Sequence, residues 1–214
     1  MKHALFTVLF VSVFTVTSVS AAESSVALPA PQKTGGKPML EAVASRASAS
    51  GLDFPSGTIS QQDIATLLWS ATGKNRASKW TIPFGLSVEP YVDIYVAAKE
   101  GVYRYAWQDH SLKLVADGDL RKNFSSQGFV ATASHIFIFV TNKTPLRNKG
   151  GSPQHWVKWT YVATGAMTEQ LYLVADSLRI GARYAETMET NYVRQTLNIA
   201  TDEEPVCIFA LGKR

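Results

Sequence analysis

The run His135-Ile136-Phe137-Ile138-Phe139-Val140-Thr141-Asn142 constrains this chain more than any other stretch. A strand sends successive side chains to opposite faces, so an unbroken apolar run reads as a strand buried on both sides. Three further strand-like segments precede it. VDIYVAA (residues 92–98) is β-branched and aromatic, GVYRYA (101–106) alternates with period two, and SLKLVADG (111–118) does so again after the polar break QDH. Together they predict a meander. PVCIFALG, near the end, predicts one more strand.

Helical periodicity separates these strands. Ser60 is placed to cap SQQDIATLLWSATG, where Ile64, Leu67, Leu68 and Ala71 recur at helical spacing and Gly73 ends the pattern. MLEAVASRASAS predicts a short helix with Leu40, Val43 and Ala44 on one side. HWVKWTYVATGAMTEQLYLVADSLRIG predicts a long one, with Ala163, Met167, Leu171, Val174 and Leu178 in a stripe and Gly181 closing it. Lys158, Glu169 and Asp176 exclude that helix as a membrane span. DLRKNFSSQGFVATA is helix-like, NYVRQTLNIA predicts a last helix, and KTPLRNKGGSPQ, with Pro and Gly at both ends, reads as a loop. Without regular βαβ alternation, the expected class is α+β, with a mixed, mainly antiparallel sheet flanked by helices.

The first residues bear on compartment. Lys2 and His3 precede the apolar run ALFTVLFVSVFTV and the small residues TSVSAA, so residues 1–22 read as a secretory signal peptide and the mature chain as exported, with a periplasmic location expected. Residues 23–38, rich in Pro, Gly and Ser, read as an extended arm, and residues 39–214 as one domain. The net charge of +4 falls by one with Lys2, and the remaining basic residues are scattered; a nucleic-acid groove is not expected. Cys207 is the single cysteine, so no intrachain disulfide can form. His3, His110, His135 and His155 lie far apart without a second ligand at helical spacing, which argues against a metal site.

The order of segments resembles the nitroreductase-like flavoproteins, in the branch of the azoline-oxidising dehydrogenases. LEAVASRASAS, SQQDIATLLWSATGKNR, TIPFGLSVEP, GVYRYAWQDHSLKLVADGDLR, GAMTEQLYLVADSLRIG and EEPVCIFALG carry the likeness over residues 37–212. The resemblance implies a homodimer holding FMN at the subunit interface. Hydride would pass from a reduced nicotinamide or other donor, through the flavin, to a small-molecule acceptor. In such enzymes the cofactor carries the chemistry and the protein positions it.

The resemblance also implies where the flavin would be held. The family's R-R-S-x-R type phosphate motif falls on Arg46, Ala47, Ser48, Ala49 and Ser50, so one arginine and the serine are kept and Ser50 replaces the last cation. The P-S-x-G loop under the flavin ring becomes Pro83-Phe84-Gly85-Leu86. The family's Gly-Gly aligns with Glu186-Thr187, a Gln-Asn pair of the long helix with Glu169-Gln170, and Lys213 and Arg214 are candidate replacement cations. Each has a plainer reading. Arg46 can complement the carbonyls at its helix end, Ser48 and Ser50 can be turn residues, and Phe84 can be core. Two functions therefore stand at this point: an FMN-dependent oxidoreductase, or a flavin-free binding or accessory protein on the same fold.

Overall fold

The computed structural model describes residues 24–77, 79–84, 89–201 and 203–214; the expected signal peptide and Gly85 lie outside them. In chain order the elements are β1 (Ser25–Ala27), α1 (Met39–Ser45), α2 (Gln61–Thr72), β2 (Lys74–Arg76), β3 (Lys79–Trp80), β4 (Val92–Ala97), β5 (Gly101–Ala106) and β6 (Ser111–Asp117). They continue as α3 (Gly128–Thr132), β7 (His135–Thr141), α4 (Lys143–Lys149), α5 (Pro153–Ser177), β8 (Ile180–Ala185), α6 (Thr190–Leu197) and β9 (Pro205–Lys213). Seven strands form one sheet in the order β1-β6-β5-β4-β7-β9-β8. Every described pair in it is antiparallel, and the fold is α+β as expected.

The apolar run of β7 lies near the middle of this sheet and feeds two cores. Phe137 and Phe139 face one side with Ile94 and Val96 of β4 and Cys207, Phe209 and Leu211 of β9. Ile136, Ile138 and Val140 face the other, with Tyr95, Ala97, Ile208 and Ala210. The first core is covered by α2 and α5, which present Leu67, Leu68, Met167 and Leu171; the second is covered by Phe124, Phe129, Val193 and Leu197 from α3, α6 and the turn before α3. Ser60 caps α2, its Oγ accepting the Asp63 N–H at 3.0 Å.

Several elements differ from expectation. Residues 143–149 form the helix α4: Asn142 Oδ1 accepts the Thr144 N–H at 3.1 Å, and Pro145 sits in the first turn, where its missing N–H costs no helical bond. Leu146 anchors that helix in the core. The long helix stops at Ser177, because Arg179 takes a left-handed conformation (φ 57°) and redirects the chain into β8, a strand that the apolar stripe had absorbed. Gly181 is therefore a strand residue. It pairs with Gly212 of β9, and a Cβ at the two positions would meet Pro55 Cγ at 2.2 Å and Pro55 O at 1.6 Å. The missing side chains let the segment after α1 lie on the sheet. In α1 the inward residue is Ala42, while Leu40 and Val43 face solvent, 82% and 56% exposed. The arm adds β1 to the sheet edge. None of the described helices is long and apolar enough to cross a membrane.

Candidate functional site

α1 ends at Ser45, and residues 46–50 continue as extended chain along the end of the sheet. The Ala49 N–H donates to Ala182 O of β8 at 2.8 Å, and Arg183 Nη1 donates back to Ala49 O at 2.9 Å. The Arg183 guanidinium is itself seated 5.1 Å above the Phe129 ring centroid. This clamp fixes the backbone from which Arg46 and Ser48 project.

Both side chains meet Tyr172 of α5. The Arg46 guanidinium carbon lies 5.1 Å from the Tyr172 ring centroid, and its Nε lies 3.7 Å from Glu169 Oε1. Ser48 Oγ is 2.9 Å from the Tyr172 hydroxyl, which also accepts the Tyr184 N–H at 2.8 Å. With a lone pair occupied by that amide, the phenol can direct its proton to Ser48 Oγ. The serine proton is then available to a ligand.

Tyr172 also lines a cavity of about 390 Å³ between α5 and the β8–β9 edge, together with Thr164, Gly165, Glu169, Glu186 and Cys207. Thr164 is buried there and its Oγ1 has no hydrogen-bond partner among the described residues. Nothing lies within 4 Å of where a Cβ on Gly165 would stand. Burial, followed by the nearby Glu186 carboxylate, pushes the Cys207 thiol up to about 12, so it is held as an inert thiol.

Apart from Glu169 and Glu186, the other residues singled out in the sequence lie away from this cluster. Ser50 Oγ accepts the N–H groups of Leu52 (3.2 Å) and Asp53 (3.4 Å), as a turn residue does, and lines a separate cavity of about 380 Å³ with Ala49, Asp53, Pro55 and Arg214. Lys213 turns to Asp63 Oδ2 (3.1 Å) and Leu178 O (2.8 Å), tying α2 to the end of α5. Thr187 O accepts the Ser125 hydroxyl at 2.8 Å. Pro83 is exposed, and Phe84 packs in the core edge-on to Tyr91 (5.2 Å) and Trp80 (6.1 Å). Glu186 lines the Tyr172 cavity. Sequence reasoning missed Tyr172, Thr164 and Arg183. Tyr172 and Thr164 sit beside the apolar stripe of α5, where an aromatic ring and a small hydroxyl pass as packing, and Arg183 lies in the unrecognised strand.

The model of the nitroreductase family matches residues 43–213, from α1 to the last strand. This chain belongs to the nitroreductase family. A candidate nitroreductase of Ralstonia eutropha JMP134 has the same fold, with a TM-score of 0.79 and 30% identity over 91% of each chain. A candidate nitroreductase of Methanocaldococcus jannaschii is 24% identical over 173 residues, 76% of this chain and 85% of its own. At 16% identity the likeness to the NADPH:FMN oxidoreductase of Vibrio harveyi is one of fold, with a TM-score of 0.57 over 82% of this chain and 68% of that one. A nitroreductase-family chain of this kind is an oxidoreductase in general class.

Proposed function

We propose that this nitroreductase is an exported, homodimeric, FMN-dependent oxidoreductase of the azoline-oxidising type, taking hydride from a reduced nicotinamide or another donor and delivering it to a small-molecule acceptor. The observation that carries the reading is the convergence of Arg46 and Ser48 on Tyr172, at the wall of a cavity that holds the partnerless Thr164 hydroxyl. A buried hydroxyl without a partner is costly, and a ligand with a hydrogen-bonding edge would satisfy it.

The residues present fit a phosphate-bearing flavin at two points. Arg46 supplies a charge-assisted donor and Ser48 a hydroxyl for the phosphate, while Thr164 offers its hydroxyl to the ring. A bound flavin supplies two-electron hydride transfer, chemistry that no side chain of the cavity performs. The chain's part is positional: Tyr172 holds Ser48 and Arg46 in place, the Arg183 clamp holds their backbone, and Glu169 partly neutralises Arg46 until phosphate competes for it.

The homodimer is supported by the outer face of α5, where Val157, Tyr161 and Val162 are 49%, 65% and 68% exposed beside the cavity. Monomers rarely leave such a face open. Export is supported by the charged, apolar and small-residue order of residues 1–22.

A flavin-free relative of the same fold is favoured by one observation: Lys213 and Arg46 already hold carboxylate partners in Asp63 and Glu169. Titration with FMN, followed by visible absorption, separates the two. Stoichiometric uptake is expected, with affinity falling about 10- to 100-fold in Arg46→Ala, as loss of one charge-assisted contact of about 1.5–3 kcal/mol requires. Protein that stays colourless in excess FMN removes the enzyme reading and leaves the binding module.

A further inference from the structure

The arm ahead of α1 builds a further cavity that has no part in the flavin reading. It is stapled across α2 and α5: Gln62 Nε2 donates to Ala30 O (2.8 Å), the Gln32 N–H to Thr66 Oγ1 (3.0 Å), and the Lys37 N–H to Ser177 Oγ (2.6 Å). The Lys37 ammonium closes the strap on Asp176 and Ser45. Between the staples runs Lys33-Thr34-Gly35-Gly36, with both glycines at positive φ (82° and 79°). A side chain on Gly36 would meet Ser177 Oγ at 2.4 Å. Both positions therefore require glycine for this path.

A cavity of about 290 Å³ lies between this loop and the two helices. Its apolar lining comes from Trp69, Leu173 and Val174, and its polar lining from Lys33, Gln170 and the loop backbone. On α5 these residues fall on the face opposite Thr164, Thr168 and Tyr172, so the two cavities lie on opposite sides of one helix.

The polar groups are unbalanced. Lys33 has no carboxylate partner among the described residues; its ammonium rests 5.6 Å above the Trp69 ring centroid. The N–H groups of Thr34, Gly35 and Gly36 find no acceptor among the described residues. No Asp or Glu lines the cavity, and the nearby Asp176 is engaged by Lys37 and Ser45. Exposed donors, with no competing carboxylate, therefore lie along one side of an apolar, aromatic-walled space.

We propose that this cavity binds a small amphipathic acid: a carboxylate on a flat apolar body. Lys33 and the Thr34–Gly36 amides hold the carboxylate, and the body lies against Trp69 and Leu173. The carboxylate replaces the indole face as the partner of the Lys33 ammonium, an exchange of a weak cation–π contact for a charge-assisted hydrogen bond.

Benzoate is the probe, and benzamide its neutral isostere. Titration of the full chain, followed by tryptophan fluorescence and calorimetry, is expected to show saturable benzoate binding, with benzamide weaker by about tenfold or more. Lys33→Ala should weaken benzoate by a similar factor and leave FMN uptake unchanged. Leu173→Trp, which fills the cavity, should abolish benzoate binding without altering the fold seen by circular dichroism. Equal binding of benzoate and benzamide, an unaffected Lys33→Ala variant, or inorganic phosphate binding as tightly as benzoate would each overturn the proposal.

Discussion

The two flanks of the sheet are built differently. On the α3–α6 side the helices are short, and Phe124, Phe129, Val193 and Leu197 bury their faces completely or nearly so. Most polar groups around them are paired, with Asn123 Nδ2 donating to the Tyr192 hydroxyl at 3.0 Å and Ser125 to Thr187 O, although Arg183 Nε, over the Phe129 ring, is buried without a partner among the described residues. On the other side α5 runs for 25 residues and is too long to be used up by packing. One stripe enters the core, another closes the arm cavity, and a third carries Tyr161, Val162 and the Tyr172 cavity. The buried side-chain atoms left without partners include Thr160 and Thr164 of α5, and none of those described belongs to α3 or α6. One flank closes the fold, while the other leaves cavities and an exposed apolar face.

If that contrast holds, the largest stability losses should come from the closing flank. Phe124→Ala, which removes a fully buried ring lying 5.4 Å edge-on from Tyr192, is expected to cost about 3–5 kcal/mol in chemical denaturation without changing FMN affinity per folded molecule. A comparable loss of flavin affinity in the refolded variant would break the division between flanks.

A pH effect of similar size belongs to the open flank. His135, at the start of β7, is held down to about 4, chiefly by burial. Its unfolded form has the ordinary value near 6.5, so between these two pH values the unfolded chain binds the extra proton. Stability is thus complete above about pH 6.5 and falls as pH drops towards 4, by up to about 3 kcal/mol from this residue. Denaturation midpoints across that window should show the slope, and His135→Gln should flatten it.

Smaller effects follow at the edges. Gly181→Ala forces its methyl into Pro55 and should cost about 1–3 kcal/mol, with loosened hydrogen-exchange protection at the Ala49 amide. Val162→Asp, on the exposed face of α5, should change unfolding of the single chain by less than about 0.5 kcal/mol yet convert a dimer to monomer in sedimentation. An unchanged sedimentation coefficient would move the dimer contact off that face.

Much of this architecture was legible in the chain. The β7 run, the β4–β6 meander and the Ser60-capped α2 could be read because local pattern and tertiary environment agree there. β8 was hidden because IGARYA continues the apolar character of α5, and only the left-handed Arg179 separates them. α4 was hidden because Pro145 falls inside it and Gly150 and Gly151 follow it, although a proline in the first turn is compatible with a helix. In the candidate site, Arg46 and Ser48 could be named from the resemblance to the family, but the meaning of Tyr172 could not. Its role depends on a phenol oxygen placed between Ser48, 124 positions earlier, and the Tyr184 amide.

The sequence by itself determined which segments are strands buried on both sides and which helix carries an apolar stripe, since periodicity is a local property of the chain. Only the tertiary structure decided where the remaining faces of α5 look, which cations are already engaged, and that Gly181 and Gly212 make room for Pro55. Those outcomes depend on residues far apart in sequence approaching within a few ångströms, and no local pattern records such distances.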